Sequence, residues 1–145
     1  MSMDLARSIL MNNGVDQDHL SESFAASYHW SRGYGPATAE ILKYIKRGRS
    51  WYEVNELRYA EGSMGNGAAM RAPILSLCYP YDQHLLMENV IKASEITDTH
   101  PLAIESAKLV SYTVLSCLND MNVSSILKAA KIHNFSMKFP YNLEY

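Results

Sequence analysis

Residues 62–71 read Gly-Ser-Met-Gly-Asn-Gly-Ala-Ala-Met-Arg, and three of the chain's 7 glycines fall within six of these positions. Glycine is costly in regular structure, so it concentrates where the backbone needs a positive φ or where something must approach it closely. Asn66 has a side-chain oxygen that can cap a helix, and Gly67-Ala68-Ala69-Met70-Arg71 can begin one. The implied geometry is a tight loop delivering backbone N–H groups onto a helix N-terminus, an anion site suited to phosphate or pyrophosphate. A helix–helix turn with close packing satisfies the same spacing equally well.

Two nucleotide-binding loops are excluded. A P-loop needs Lys-Ser/Thr after its last glycine, where Ala68-Ala69 stand. The dinucleotide fingerprint needs Gly or Ala at position 70, which is Met70, and a preceding strand, whereas Trp51 to Ala60 reads helical.

The rest of the pattern is helical. Leu5, Ala6, Ile9 and Leu10 give one apolar face over Met3–Met11, and Asn12-Asn13-Gly14 stops it. Asp16 or Asp18 opens a helix carrying Leu20, Phe24 and Tyr28; two acids in a first turn serve the dipole more readily than a metal. Arg32-Gly33-Tyr34-Gly35 breaks it, and Pro36 takes a first helical position ahead of Ala37, Ile41, Leu42 and Ile45. The cluster Lys46-Arg47-Gly48-Arg49 sits at that helix's C-terminus, where the dipole explains it. Ser50-Trp51-Tyr52-Glu53 has capping-box spacing. Met70, Ile74, Leu77 and Cys78 keep helical spacing. Leu86, Val90 and Ala93 mark a helix over Gln83–Glu95, and Thr97-Asp98-Thr99-His100-Pro101 interrupts. A long helix follows with Ala103, Ala107, Val110, Val114 and Leu118 on one side. Ser124 can cap a last helix through Ala130; the tail, with Phe135, Phe139, Tyr141 and Tyr145, has no clear period. No stretch alternates like a strand, so the expectation is one all-α domain over residues 1–145.

With 48% hydrophobic and 19% charged residues the chain can bury a core, and a net charge of −2 gives no broad pull toward nucleic acid or anionic lipid. Cys78 and Cys117 fall in apolar helical stretches and read as buried free thiols, which fits a reducing compartment. No run reaches bilayer length and no signal-peptide pattern is present, so the expected location is cytoplasmic. The 5 histidines, among them His19, His29, His84 and His133, show no i, i+4 pairing, and no cysteine has a partner at metal-ligand spacing. No nucleophile elbow is present. His100 stands at a helix start, beside any anion held there.

The run GSMGNGAAMRAPILSL resembles the central motif of the ADP-ribosylglycohydrolase family, which includes the dinitrogenase-reductase-activating glycohydrolase. Arg32-Gly33-Tyr34-Gly35-Pro36 upstream and Thr99-His100-Pro101 downstream agree in order and approximate spacing, and the likeness covers residues 3–120 best. It implies an orthogonal multi-helix bundle that hydrolyses the glycosidic bond joining ADP-ribose to a protein side chain or small acceptor, with a pair of Mg²⁺ ions activating water. It places Gly62, Ser63, Met64, Gly65, Asn66, Gly67 and His100 at the substrate, with Tyr34, Gly35, Arg71 and Thr99 as secondary candidates. ADP-ribose or an ADP-ribosylated protein is the implied partner, with no role for nucleic acid or membrane.

The chain departs from the family where the metal would sit. Mg²⁺ needs hard oxygen ligands, which the family draws from a Thr-Asp-Asp-Thr motif near its N-terminus and an Asp-x-Asp-Thr motif near its C-terminus. Met1–Arg7 looks like the helix after the first motif, and nothing after Asp120 resembles the second. Asp98-Thr99 belongs to the Thr-His segment and is a poor substitute. No metal ligand is assigned, and catalytic residues stay unassigned. Family members are roughly twice this length, so the expectation is a truncated form, an incomplete fold whose exposed apolar faces would favour self-association. The alternatives are a non-catalytic ADP-ribose-binding or helical interaction module, and a structural remnant.

Overall fold

The computed structural model describes residues 1–132, which are all-α: α1 (Ser2–Asn12), α2 (Gln17–Ser27), a 3-10 turn (Trp30–Arg32), α3 (Pro36–Lys46), α4 (Trp51–Val54), α5 (Gly67–Arg71), α6 (Pro73–Cys78), α7 (Gln83–Glu95), α8 (Pro101–Leu118) and α9 (Val123–Ile132). The aromatic tail and His133 lie outside the described residues.

Local chemistry sets most of the boundaries. Asp16 Oδ1 accepts the His19 N–H at 3.0 Å and opens α2, and Asp82 Oδ1 does the same for Leu85 at 2.9 Å in α7. Asn13 takes the left-handed conformation after α1, and the Gly14 N–H reaches back to the Ile9 carbonyl, closing orphan carbonyls as a helix end requires. Pro36 and Pro101 occupy first-turn positions, where a missing N–H costs nothing. Three expected caps are absent. Ser50 and Asn66 stand at the starts of α4 and α5 without a side-chain cap bond, and the last helix is capped by Asn122 through Ser125 N, not by Ser124.

The core gathers Leu5, Leu20, Phe24, Ile41, Leu42, Leu75, Leu86 and Ile96, each contributing about 1.5–3 kcal/mol on full burial. α8 is the spine, packed against α5, α6 and α7. Its buried row runs Ala103, Ala107, Ser111 and Leu115, with Val110 and Val114 only half-buried and Leu118 exposed. The expected apolar face is therefore rotated. Ser111 is buried because its hydroxyl donates to the Ala72 carbonyl, while its own carbonyl accepts from Ser76 Oγ at 2.9 Å. Small residues let α8 and the α5–α6 segment approach closely, and hydropathy does not register that. Leu10, Met70, Leu77 and Cys117 also correct the sequence reading, since all four are exposed.

Candidate functional site

The segment from Gly62 to Gly67 lies against residues 97–100, the entry to α8. Gly62 adopts φ +83°, and the His100 N–H points to the Ser63 carbonyl at 3.4 Å. Gly65 and Gly67 do not have positive φ; their lack of a side chain serves a different need. A Cβ on Gly65 would stand 2.6 Å from Asp98 Oδ1, and one on Gly67 3.2 Å from Asp98 Oδ2. The loop is glycine-rich because a carboxylate sits directly beneath it.

Asp98 is completely buried. Its Oδ2 accepts from Thr97 Oγ1 at 2.8 Å and lies 3.5 Å from Arg71 Nη1, and its Oδ1 lies 3.5 Å from Ser63 Oγ. Ser63 Oγ in turn accepts the Gly65 N–H at 3.2 Å. Arg71, also buried, donates through Nη2 to the Ala93 carbonyl and to Thr97 Oγ1, and its guanidinium sits over the Phe24 ring. Burial raises the Asp98 carboxyl above its usual range, with Arg71, Thr97 and Ala68 opposing, and burial lowers Arg71, opposed by Asp98. Arg71 thus faces the interior and acts on the loop through Asp98.

His100 caps α8: its Nδ1 accepts the Leu102 N–H at 3.1 Å. The neutral ring consequently carries its proton on Nε2. Thr99 Oγ1 is buried against Gly62 and has no hydrogen-bond partner among the described residues.

Two adjoining cavities flank the loop. The larger, about 740 Å³, is lined by Gly62–Gly65 and His100 on one side and by Gly35–Thr38 at the start of α3 on another. Arg58, Tyr59 and Glu61 complete its wall, and Arg58 Nη1 ties that wall to Glu40 of α3 at 3.0 Å. The smaller, about 350 Å³, is lined by Tyr34, Asn66, Gly67 and Arg71, and shares Gly35, Thr38 and Gly65 with the first. Asn66 is exposed there, and Tyr34 leans on Tyr28 with ring centroids 5.3 Å apart. Sequence reasoning missed the Arg58–Glu61 wall, which has no motif, and the role of Asp98, which stands in a polar turn between Thr97 and Thr99 and gave no sign of its buried partner.

The ADP-ribosylglycohydrolase family model matches residues 1–138. The chain belongs to this family. Within it, the ADP-ribosylhydrolase ARH3 of Xenopus tropicalis is 32% identical over 85 residues, an overlap covering 55% of this chain and 24% of that protein. The chain therefore spans about a quarter of that ADP-ribosylhydrolase.

A divalent-metal site does not fit the side chains on this stretch of the family fold. Among the described residues no three His, Cys, Asp or Glu side chains converge. Asp16 caps α2, Asp18 accepts from Trp51 Nε1 at 2.8 Å, and Asp98 is matched to Arg71. A buried carboxylate beside a guanidinium is a poor Mg²⁺ ligand, because the ion would have to displace or abut a fixed positive charge.

Proposed function

We propose that the two adjoining cavities receive ADP-ribose, with the Gly62–Gly67 loop between them against the pyrophosphate and the His100 Nε2–H as a donor beside it. The supporting observation is the loop's construction: Asp98 holds a side-chain-free backbone at the rim of a cavity of about 740 Å³, within the range small-molecule sites occupy. The five-residue α5 has little aligned dipole, so the anion contact belongs to the loop. The reaction assigned to the whole protein is hydrolysis of the glycosidic bond between ADP-ribose and a protein side chain or small acceptor. The two Mg²⁺ ions of the family mechanism would take their carboxylates from residues other than those described. The chain by itself is a substrate-binding part, and the matching of Asp98 to Arg71 favours binding without turnover as its own activity.

The test is calorimetry with ADP-ribose beside an assay for ADP-ribose release from modified arginine and serine substrates, with and without Mg²⁺. Expected are measurable binding and no Mg²⁺-dependent release. Asn66 makes no cap bond, so Asn66→Asp should leave the melting temperature unchanged. It should weaken binding about tenfold, since like charges near the pyrophosphate repel by roughly one to several kcal/mol. His100→Ala should weaken binding as well. Unchanged affinity in both variants would remove the loop from the site, and robust Mg²⁺-dependent turnover by this chain would overturn the division of labour.

A further inference from the structure

At the opposite end of α3 from the glycine loop lies a third concavity, of about 360 Å³, lined by Tyr28, His29, Trp30, Lys43, Lys46 and Arg47. The α-helical rise separates its lysines from the Gly35–Thr38 end by about 7–17 Å, and it shares no lining residue with the two cavities at the glycine loop. Two features need explanation. Trp30 is 77% exposed, and it stacks on His29 at an interplanar angle of 25° with centroids 6.2 Å apart. None of Lys43, Lys46 and Arg47 takes part in an ion pair among the described residues, although neighbouring Arg49 and Arg58 are each matched to a glutamate.

The α3 dipole accounts for only part of this arrangement. Lys43 and Lys46 both lie in the last turn, where each cation contributes about 0.3–1 kcal/mol, and Arg47 follows directly. Three unmatched cations around one hollow repel each other by a comparable amount per close pair, so fold stability does not favour gathering them. A solvent-facing indole is likewise unfavourable for a folded monomer and useful for stacking a flat ring. An aromatic face with cations at its edge is the arrangement that holds a base and its phosphate together.

We propose that this hollow is a second ligand site, for a phosphorylated purine nucleoside: the base stacks on Trp30 while the phosphates engage Lys43, Lys46 and Arg47. The nucleotide could be free or one unit of a nucleic-acid strand, and the chemistry of the site is the same.

Titration of the chain with ADP, read by tryptophan fluorescence, tests it. The chain has 2 tryptophans, and Trp51 is half-buried and hydrogen-bonded to Asp18, so the stacking signal belongs to Trp30. ADP is expected to quench emission saturably, with adenosine at least tenfold weaker. Trp30→Ala should abolish the quench. The double variant Lys43→Glu, Lys46→Glu should weaken ADP at least tenfold and lower the melting temperature only slightly, because both side chains are exposed and only the helix-dipole contribution changes. His100→Ala, which alters the glycine-loop cavity, should leave the quench intact. Displacement of ADP by a ten-residue oligo(dA) at lower concentration than free ADP would identify a strand as the source, and no displacement would identify free nucleotide. Wild-type ADP affinity in the charge-reversed variant, or a quench that survives Trp30→Ala, would overturn the proposal. So would loss of the quench in His100→Ala, since the signal would then come from the glycine-loop cavity.

Discussion

Asp98→Ala is expected to lower stability by about 3–5 kcal/mol, the size of effect seen when one partner of a buried ion pair is removed. The loss has two sources. Arg71 is left as a buried charge with no counter-ion, and Ser63 and Thr97 lose the acceptor that joins the glycine loop to the start of α8. Asp98→Asn keeps one acceptor oxygen and should fall between the variant and the wild type. Its deficit should also change with pH in a defined direction. Burial sets the Asp98 carboxyl above its unfolded value, so the native state binds that proton more tightly. Its stabilising contribution is complete in acid and is lost as pH rises through the folded pKa. The gap between wild type and Asp98→Asn should therefore narrow as pH rises.

A second arm distinguishes a loop support from a generic core carboxylate. Gly65→Ala should destabilise the wild type, because the new Cβ would stand 2.6 Å from Asp98 Oδ1. In an Asp98→Ala background that obstacle is gone, and the two changes should cost less together than their sum, a coupling of about 0.5–3 kcal/mol. Urea melts of the two single variants and the double variant measure it. Strict additivity, or an Asp98→Ala variant within about 1 kcal/mol of wild type, would show that the carboxylate does not shape the loop.

What could be read from the chain alone follows from the range of the interactions. Asp16, one of two candidate openers, Pro36 and Pro101 act on backbone groups within a turn of themselves, and the helices they start begin where the sequence allowed. The motif likewise drew attention to Gly62–Gly65 and His100, which line one cavity, and to Asn66 and Gly67, which line the cavity beside it. The reason for the glycines was not legible. Glycine spacing left positive φ and close approach both open at all three positions, whereas Gly65 and Gly67 answer to a side chain some thirty residues away. Asp98 was weighed only as a weak metal ligand, since nothing local reveals that Arg71 comes to meet it. The buried face of α8 was misjudged for the same reason, because Ser111 is interior through a hydrogen bond to another helix.

Gly62→Ala should be the most damaging glycine substitution in the chain, and Gly33 supplies its control. Both residues adopt left-handed backbone, φ +83° at Gly62 and +68° at Gly33, which costs an alanine about 1–2 kcal/mol. At Gly33 a Cβ meets nothing within 4 Å among the described residues, so Gly33→Ala should show that conformational cost alone. At Gly62 the Cβ would land on Thr99 Oγ1 and 2.6 Å from the backbone nitrogen of His100. Neither can swing away: Thr99 Oγ1 is buried, and the His100 backbone begins α8, whose ring cap holds it in place. Overpacking of this kind adds about 1–3 kcal/mol, so Gly62→Ala should lose about 2–5 kcal/mol in total. Thr99→Ala should recover only part of this, since the contact with the His100 nitrogen remains. The same displacement would carry the loop away from His100, and ADP-ribose affinity should fall even in buffer where the variant is fully folded. Thermal melts of Gly33→Ala and Gly62→Ala with an ADP-ribose titration of each decide the matter. Equal melting temperatures in the two variants would mean that the loop does not rest on Thr99 and His100, and the cavity between them would lose its rigid wall.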